Sequence, residues 1–143
     1  MKSILSPRIL EKLARETAAG REAWKNGAIG EAEKHFLEAW NALPDPKTKQ
    51  DFYSQDLSWG MTAFDQATQQ YDKAKRWLDI VRQVYGGGPD ASVDFLAGTV
   101  TFDSGDLGEA YRLFDDLFLR YGSRPFEGSD SKYLKFYQKA SKR

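Results

Sequence analysis

The sequence predicts an all-α fold: a right-handed solenoid of three antiparallel helical hairpins with a C-terminal capping helix. Three observations carry that expectation. A short grammar recurs, in which a Gly or polar turn is followed by an apolar residue, two polar residues, an Ala, and a large apolar residue four positions later. It reads Asn26-Gly27-Ala28-Ile29-Gly30-Glu31-Ala32 with Phe36, then Gln69-Gln70-Tyr71-Asp72-Lys73-Ala74 with Leu78, then Gly105-Asp106-Leu107-Gly108-Glu109-Ala110 with Phe114. The alanines at 32, 74 and 110 are 42 and 36 residues apart, a period of stacked helical pairs. Between the turns, apolar residues fall at helical spacing and end at Gly or Pro.

Ser6-Pro7 reads as N-cap and first helical position. Ile9, Leu10, Leu13, Thr17 and Gly20 follow on one stripe, and Asn26-Gly27 stops the helix. A second helix from about Gly30 places Ala32, Phe36, Ala39, Trp40 and Leu43 on one face, and Pro44-Asp45-Pro46 ends it. Lys47 to Ser54 is extra length, and Thr48 with Asp51 resembles a capping box with Asp in place of Glu. Tyr53, Leu57, Met61, Phe64 and Thr68 form the stripe of the next helix, and Tyr71, Ala74, Leu78, Val81 and Tyr85 that of its partner. Gly86-Gly87-Gly88-Pro89 stops that partner.

Asp90 or Ser92 caps the third pair, whose faces are Val93, Leu96, Ala97, Val100 and Thr101, then Leu107, Ala110, Leu113, Phe114, Leu117 and Phe118. Ser123 to Gly128 reads as a loop, and Ser129-Asp130-Ser131 opens a last helix carrying Tyr133, Leu134, Phe136 and Tyr137. An array of this kind needs such a closing helix, because its final pair has no neighbour to cover it.

The chain has 143 residues, which fits one domain over 1–143 with repeats at about 13–46, 55–88 and 91–124 and a capping helix at about 130–141. It has no Cys, which excludes thiol catalysis, thiolate metal sites and disulfides. The start, Met1 to Pro7, lacks a continuous apolar segment and no later run approaches a membrane span, so a cytoplasmic protein without a membrane partner is expected. Lys plus Arg equals Asp plus Glu at 21 each, which argues against nucleic acid as a partner. Charge is nonetheless uneven: seven acids face four bases between Asp51 and Val100, and Lys132 to Arg143 holds five bases and no acid. A solvated surface with cations suiting a helix C-terminus accounts for this more simply than a docking patch.

These residues resemble the tetratricopeptide repeat. Gly20, Ala32, Phe36, Ala39 and Pro44 fall in its register in the first unit. Ala97-Gly98, Ala110 and Phe114 do so in the third, with the proline displaced to Pro125. The second unit keeps Tyr71 and Ala74 and has Leu78 for the aromatic. Arg124 to Tyr137, with Leu43-Pro44-Asp45-Pro46 and Tyr71 to Leu78, is similar to small bacterial members of this family. Several of those are encoded beside polymorphic toxins such as Rhs and contact-dependent inhibition effectors, and are thought to be immunity proteins. The resemblance implies a concave groove lined by the first helix of each pair.

The groove positions that the resemblance implies are Ala14, Thr17, Arg21, Trp24 and Lys25, then Asp56, Trp59, Ala63, Gln66 and Ala67, then Ser92, Phe95, Thr99, Phe102 and Asp103. Trp59 and Phe95 would stack as equivalents on adjacent pairs, as would Trp24 and Phe102. Together with Arg21, Asp56 and Asp103 these four rings would anchor a protein partner. Each ring taken alone is as well explained as core. Chaperone-binding members capture a carboxylate with Lys, Asn and Arg. At those places this chain has Thr17, Arg21, Gly60, Ser92 and Leu96, so such capture is not expected.

His35 is the single histidine, which suits a half-buried surface residue better than a ligand or base. Asp115-Asp116, and Asp103 with Asp106, are explained by surface charge and helix capping before acid–base or magnesium chemistry. The expectation is a non-catalytic protein-binding module without metal or cofactor, in its sharpest form an immunity protein neutralising a toxin domain held in the groove. A general scaffold without a toxin is the alternative, and an enzyme using surface carboxylates is a more distant one. The exposed apolar surface leaves room for a homodimer.

Overall fold

The structure, a computed structural model, describes residues 5–142; the expectations on residues 1–4 and on Arg143 fall outside it. Seven α-helices follow in order: α1 Pro7–Lys25, α2 Ile29–Ala42, α3 Asp51–Ala67, α4 Tyr71–Val84, α5 Ala91–Asp103, α6 Leu107–Tyr121 and α7 Ser131–Ser141. Two short 3-10 turns, Lys47–Lys49 and Arg124–Phe126, stand before α3 and after α6, and no strand occurs among the described residues. The first six helices pack chiefly in successive pairs, α1 on α2, α3 on α4 and α5 on α6, while α2 meets α3, α4 meets α5 and α7 meets α6. The chain is therefore all-α and helical-repeat-like.

Close packing inside the first and third pairs depends on one glycine each. A Cβ on Gly20 would lie 2.5 Å from the Phe36 ring, and one on Gly98 would lie 2.4 Å from the Phe114 ring. The two contacts have the same sequence offset. At that offset in the second pair stand Thr62 and Leu78, both buried. A larger residue on α3 is matched there by a smaller one on α4, which keeps the summed volume nearly constant. That compensation explains why the second unit departs from the sequence pattern without disturbing the pairing.

Caps were read correctly at four places. Ser6 Oγ accepts from the Ile9 amide at 3.2 Å, Asp90 Oδ1 from Val93 at 3.0 Å, Asp106 Oδ1 from Glu109 at 3.3 Å and Asp130 Oδ1 from Lys132 at 3.0 Å. The capping box expected from Thr48 and Asp51 does not form. Asp51 is already the first residue of α3, and Ser54 Oγ instead accepts from the Gln50 amide at 2.7 Å and donates to the Lys47 carbonyl. Gln50 Nε2 also donates to the Pro44 and Pro46 carbonyls, tying the inserted turn to the helix start.

Two further corrections concern burial. Leu107, expected on the inner face of α6, is 49% exposed at its first turn. The segment expected as a plain loop after α6 instead inserts Phe126 into the core beside Phe114 and Tyr137. Helix α3 carries a buried polar row that its apolar stripe conceals: Ser54, Ser58, Thr62 and Asp65 are all fully buried. Ser54 and Thr62 bond backbone carbonyls, and these small side chains let neighbouring helices approach closely.

Candidate functional site

A groove lies between α1 and α3. Leu10, Ala14, Thr17, Arg21 and Trp24 recur at three- and four-residue spacing along α1, and Phe52, Asp56 and Gly60 recur at four-residue spacing along α3. Two adjoining hollows, of about 320 and 140 Å3, share Thr17, Asp56 and Leu57 as lining and together run between these rows. From Leu10 to Trp24 the α1 wall is about 21 Å long at 1.5 Å per residue. Phe36 and Met61 form part of the floor at the Trp24 end.

Trp24 is held without being hidden. Its ring meets Phe64 edge-to-face at 5.0 Å and Phe36 at 6.4 Å, and those two rings meet each other at 5.2 Å. Each such pair adds about 1 kcal/mol beyond burial. Even so, 37% of Trp24 stays exposed, and Phe52 at the other end of the groove is 60% exposed. Arg21 and Asp56 line the same hollow as Trp24, and no salt bridge engages either one among the described residues. Of the seven residues read from the sequence, Arg21, Trp24 and Asp56 are thus brought together.

The other four are placed elsewhere. Trp59 packs on the buried cluster of Ala74, Leu78, Leu96, Ala97 and Val100, with Tyr85 at 5.9 Å. It does not stack on Phe95. Phe95 instead meets Phe126 at 5.3 Å and Tyr133 at 6.0 Å, and Phe102 meets Tyr133 at 5.4 Å and Phe136 at 4.9 Å. Helix α7 therefore covers the side of α5 expected to face a partner. Asp103 is fully engaged, accepting from Gln66 at 2.9 Å and from the Tyr133 hydroxyl at 3.0 Å, with the Lys132 ammonium at 3.6 Å. The α7 stripe of Tyr133, Phe136 and Tyr137 was visible in the sequence, but not the face of α5 it would cover.

The sequence reading missed Phe52 as a groove residue and named Gly60 only as a carboxylate-capture place without a donor. Gly60 stands in the interior of α3, and a Cβ there would meet nothing within 4 Å. A helix-interior glycine costs about 1 kcal/mol relative to Ala, and no packing inside the chain requires it.

Asp65 is the acid that burial perturbs most clearly. Burial, with Glu33 nearby, pushes its carboxyl up to about 6 against the counter-pull of Lys73 and Arg76. One of its oxygens has no partner, and the other is 3.5 Å from Gln70 Nε2. Being fully buried, it offers no route to a substrate. The Asp115-Asp116 pair is engaged: Asp115 accepts from Tyr137 at 2.7 Å, and Asp116 pairs with Arg120 at 3.4 Å. His35 is half-buried with Nδ1 3.3 Å from Glu16. Among the described residues no group of three or more His, Asp or Glu is placed to hold a metal, and no helix is long and apolar enough to cross a membrane.

Against models of known families, curated proteins and solved structures, the chain has no match in any of the three comparisons. The site brings together an aromatic edge, one cation, one anion and an apolar floor.

Proposed function

We propose that this chain is a non-catalytic protein-binding module, a tetratricopeptide-like solenoid that takes a protein partner in the groove between α1 and α3. The observation that carries the proposal is Trp24, braced by Phe36 and Phe64 yet open to the groove beside Arg21 and Asp56. Trp and Arg are the residue types that dominate binding energy at protein interfaces, and a ring already fixed in place loses little freedom on binding. Opposite charges on the two walls give register to a polar partner segment.

The sharper form of the proposal is that the partner is a toxin domain and the protein its bacterial immunity factor, as the resemblance of the Arg124 to Tyr137 segment suggests. The test has two stages. The protein is used to capture partners from its source cells, beside an Arg21→Glu, Trp24→Ala variant checked for folding by circular dichroism. A single polypeptide retained by the wild type and lost by the folded variant supports binding in the groove; equal capture by both overturns it. The captured partner is then expressed alone and with this protein. Growth arrest relieved by co-expression supports immunity, and a harmless partner replaces that reading with a scaffold.

A further inference from the structure

Helix α7 carries Lys132, Lys135 and Lys139 and no acidic residue. Lys139 stands in the last turn, where the helix dipole favours a cation, but Lys132 and Lys135 stand in the first half, where it does not. The three stand at i, i+3 and i+7, so like charges lie side by side along one edge, a locally destabilising arrangement. Lys132 is relieved by Asp103 at 3.6 Å. Lys135 and Lys139 are exposed and have no ion-pair partner among the described residues. Lys132 has its acid and Lys139 suits the helix end, but nothing inside the fold accounts for Lys135.

The same edge borders an apolar hollow. At about 100° per residue, Phe136 and Ala140 stand next to the lysine edge on the helix surface. With Leu107, Gly108 and Tyr111 of α6 they line an open groove of about 470 Å3. Leu107 is half exposed there, and a Cβ on Gly108 would meet nothing within 4 Å. The acids on the α6 side are already engaged. Glu109 accepts from Arg112 at 2.6 and 2.8 Å, and Asp106 caps α6. The uncompensated charge on the rim is therefore positive.

We propose that the α6–α7 groove is a second docking surface, distinct from the α1–α3 groove, and that it takes an acidic amphipathic helix of a partner protein. Apolar side chains of that helix seat on Leu107 and Phe136. Carboxylates four residues apart on it face Lys135 and Lys139, which are themselves one such interval apart, about 6 Å along the axis. The apolar residues line a hollow rather than a ridge, which suits inserted side chains better than a flat lipid surface.

The test is an amide NMR titration of the full chain with a synthetic amphipathic helical peptide bearing Leu at i, i+4 and i+7 and Glu four residues apart along the adjoining edge. The same peptide with Lys for Glu, anionic phosphatidylglycerol vesicles, and dilution in the ultracentrifuge serve as comparisons. The expected result is shifts confined to α6 and α7, weakening as salt rises, with affinity about fivefold lower for the Lys135→Glu, Lys139→Glu variant, whose changes lie on exposed positions. No binding of the acidic peptide, shifts on α1 and α3, equal binding of the Lys peptide, or unchanged affinity in the variant would each overturn the proposal. So would binding of vesicles without the peptide, or self-association that fills the groove.

Discussion

The Tyr133 hydroxyl reaches both carboxylate oxygens of Asp103, at 3.0 and 3.1 Å, and so fastens α7 to the last residue of α5. Gln66 Nε2 on α3 donates to the same carboxylate, so Asp103 joins three helices. A residue expected to greet a partner instead holds the closing helix. Tyr133→Phe removes one hydrogen bond to a charged acceptor while keeping the ring contacts with Phe95 and Phe102. The expected loss is about 1–2 kcal/mol, seen as a fall of roughly 5 °C in the thermal midpoint by near-ultraviolet circular dichroism. An unchanged midpoint would mean that Asp103 is held by Gln66 and Lys132 alone.

Burial and the neighbouring carboxylates push both α7 tyrosines up, Tyr133 well above the usual phenol range and Tyr137 to about 12. A raised phenol keeps its hydrogen bond below the unfolded value of about 10 and loses it as pH climbs through the folded value. Tyrosinate absorbance should therefore show the Tyr137 step near pH 12 and that of Tyr133 later still. Stability should fall between about pH 10 and 12. Tyr137→Phe should delete the step near 12.

Asp65 predicts a slope of the same sign at acid pH, stability falling as pH rises. Its folded value of about 6 lies above the ordinary aspartate value of 3.8, so the ionised form is the one the fold disfavours. The penalty is absent below about pH 4, grows between 4 and 6, and is complete above 6. Asp65→Asn should therefore stabilise the protein at pH 7, by about 1–2 kcal/mol once the amide's own burial is counted, and should flatten stability between pH 4 and 6 in urea unfolding. A destabilised variant at pH 7 would mean that the ionised carboxylate is paired by water or cation in solution.

Gly20→Ala should destabilise by about 2 kcal/mol or more, because its Cβ meets Phe36 inside contact distance. Adding Phe36→Leu moves the pair toward the Thr62 and Leu78 solution of the second pair and should restore part of the loss. A strictly additive double variant would contradict the volume compensation.

Gly60→Ala should do two opposed things. With open space at the Cβ position it should stabilise α3 by about 0.5–1 kcal/mol, and it should weaken capture of the groove partner. Greater stability with undiminished capture would remove Gly60 from the site.

Much of the fold was legible because it rests on short-range signals. Pro7, Asn26-Gly27, Gln69-Gln70 and Gly105-Asp106 mark helix ends within a residue or two, and the alanines at 32, 74 and 110 are all fully buried. The candidate site was legible only in part. Arg21, Trp24 and Asp56 share a hollow, but Phe95, Phe102 and Asp103 share α7 instead, because periodicity places a residue on a face without saying what covers that face. Leu107 was misread, and the burial of Asp65 went unseen, for a related reason. A buried acid and an exposed leucine each run against the polarity pattern from which faces are inferred.

The central claim is that the α1–α3 groove receives the partner. The most direct measurement is amide hydrogen exchange of the protein alone and in complex with its captured partner. The predicted result is slowed exchange in peptides spanning Leu10 to Trp24 and Phe52 to Gly60, with α2 and α4 unchanged. Protection confined to α2, α4 or α7, with α1 and α3 exchanging as in the free protein, would contradict it.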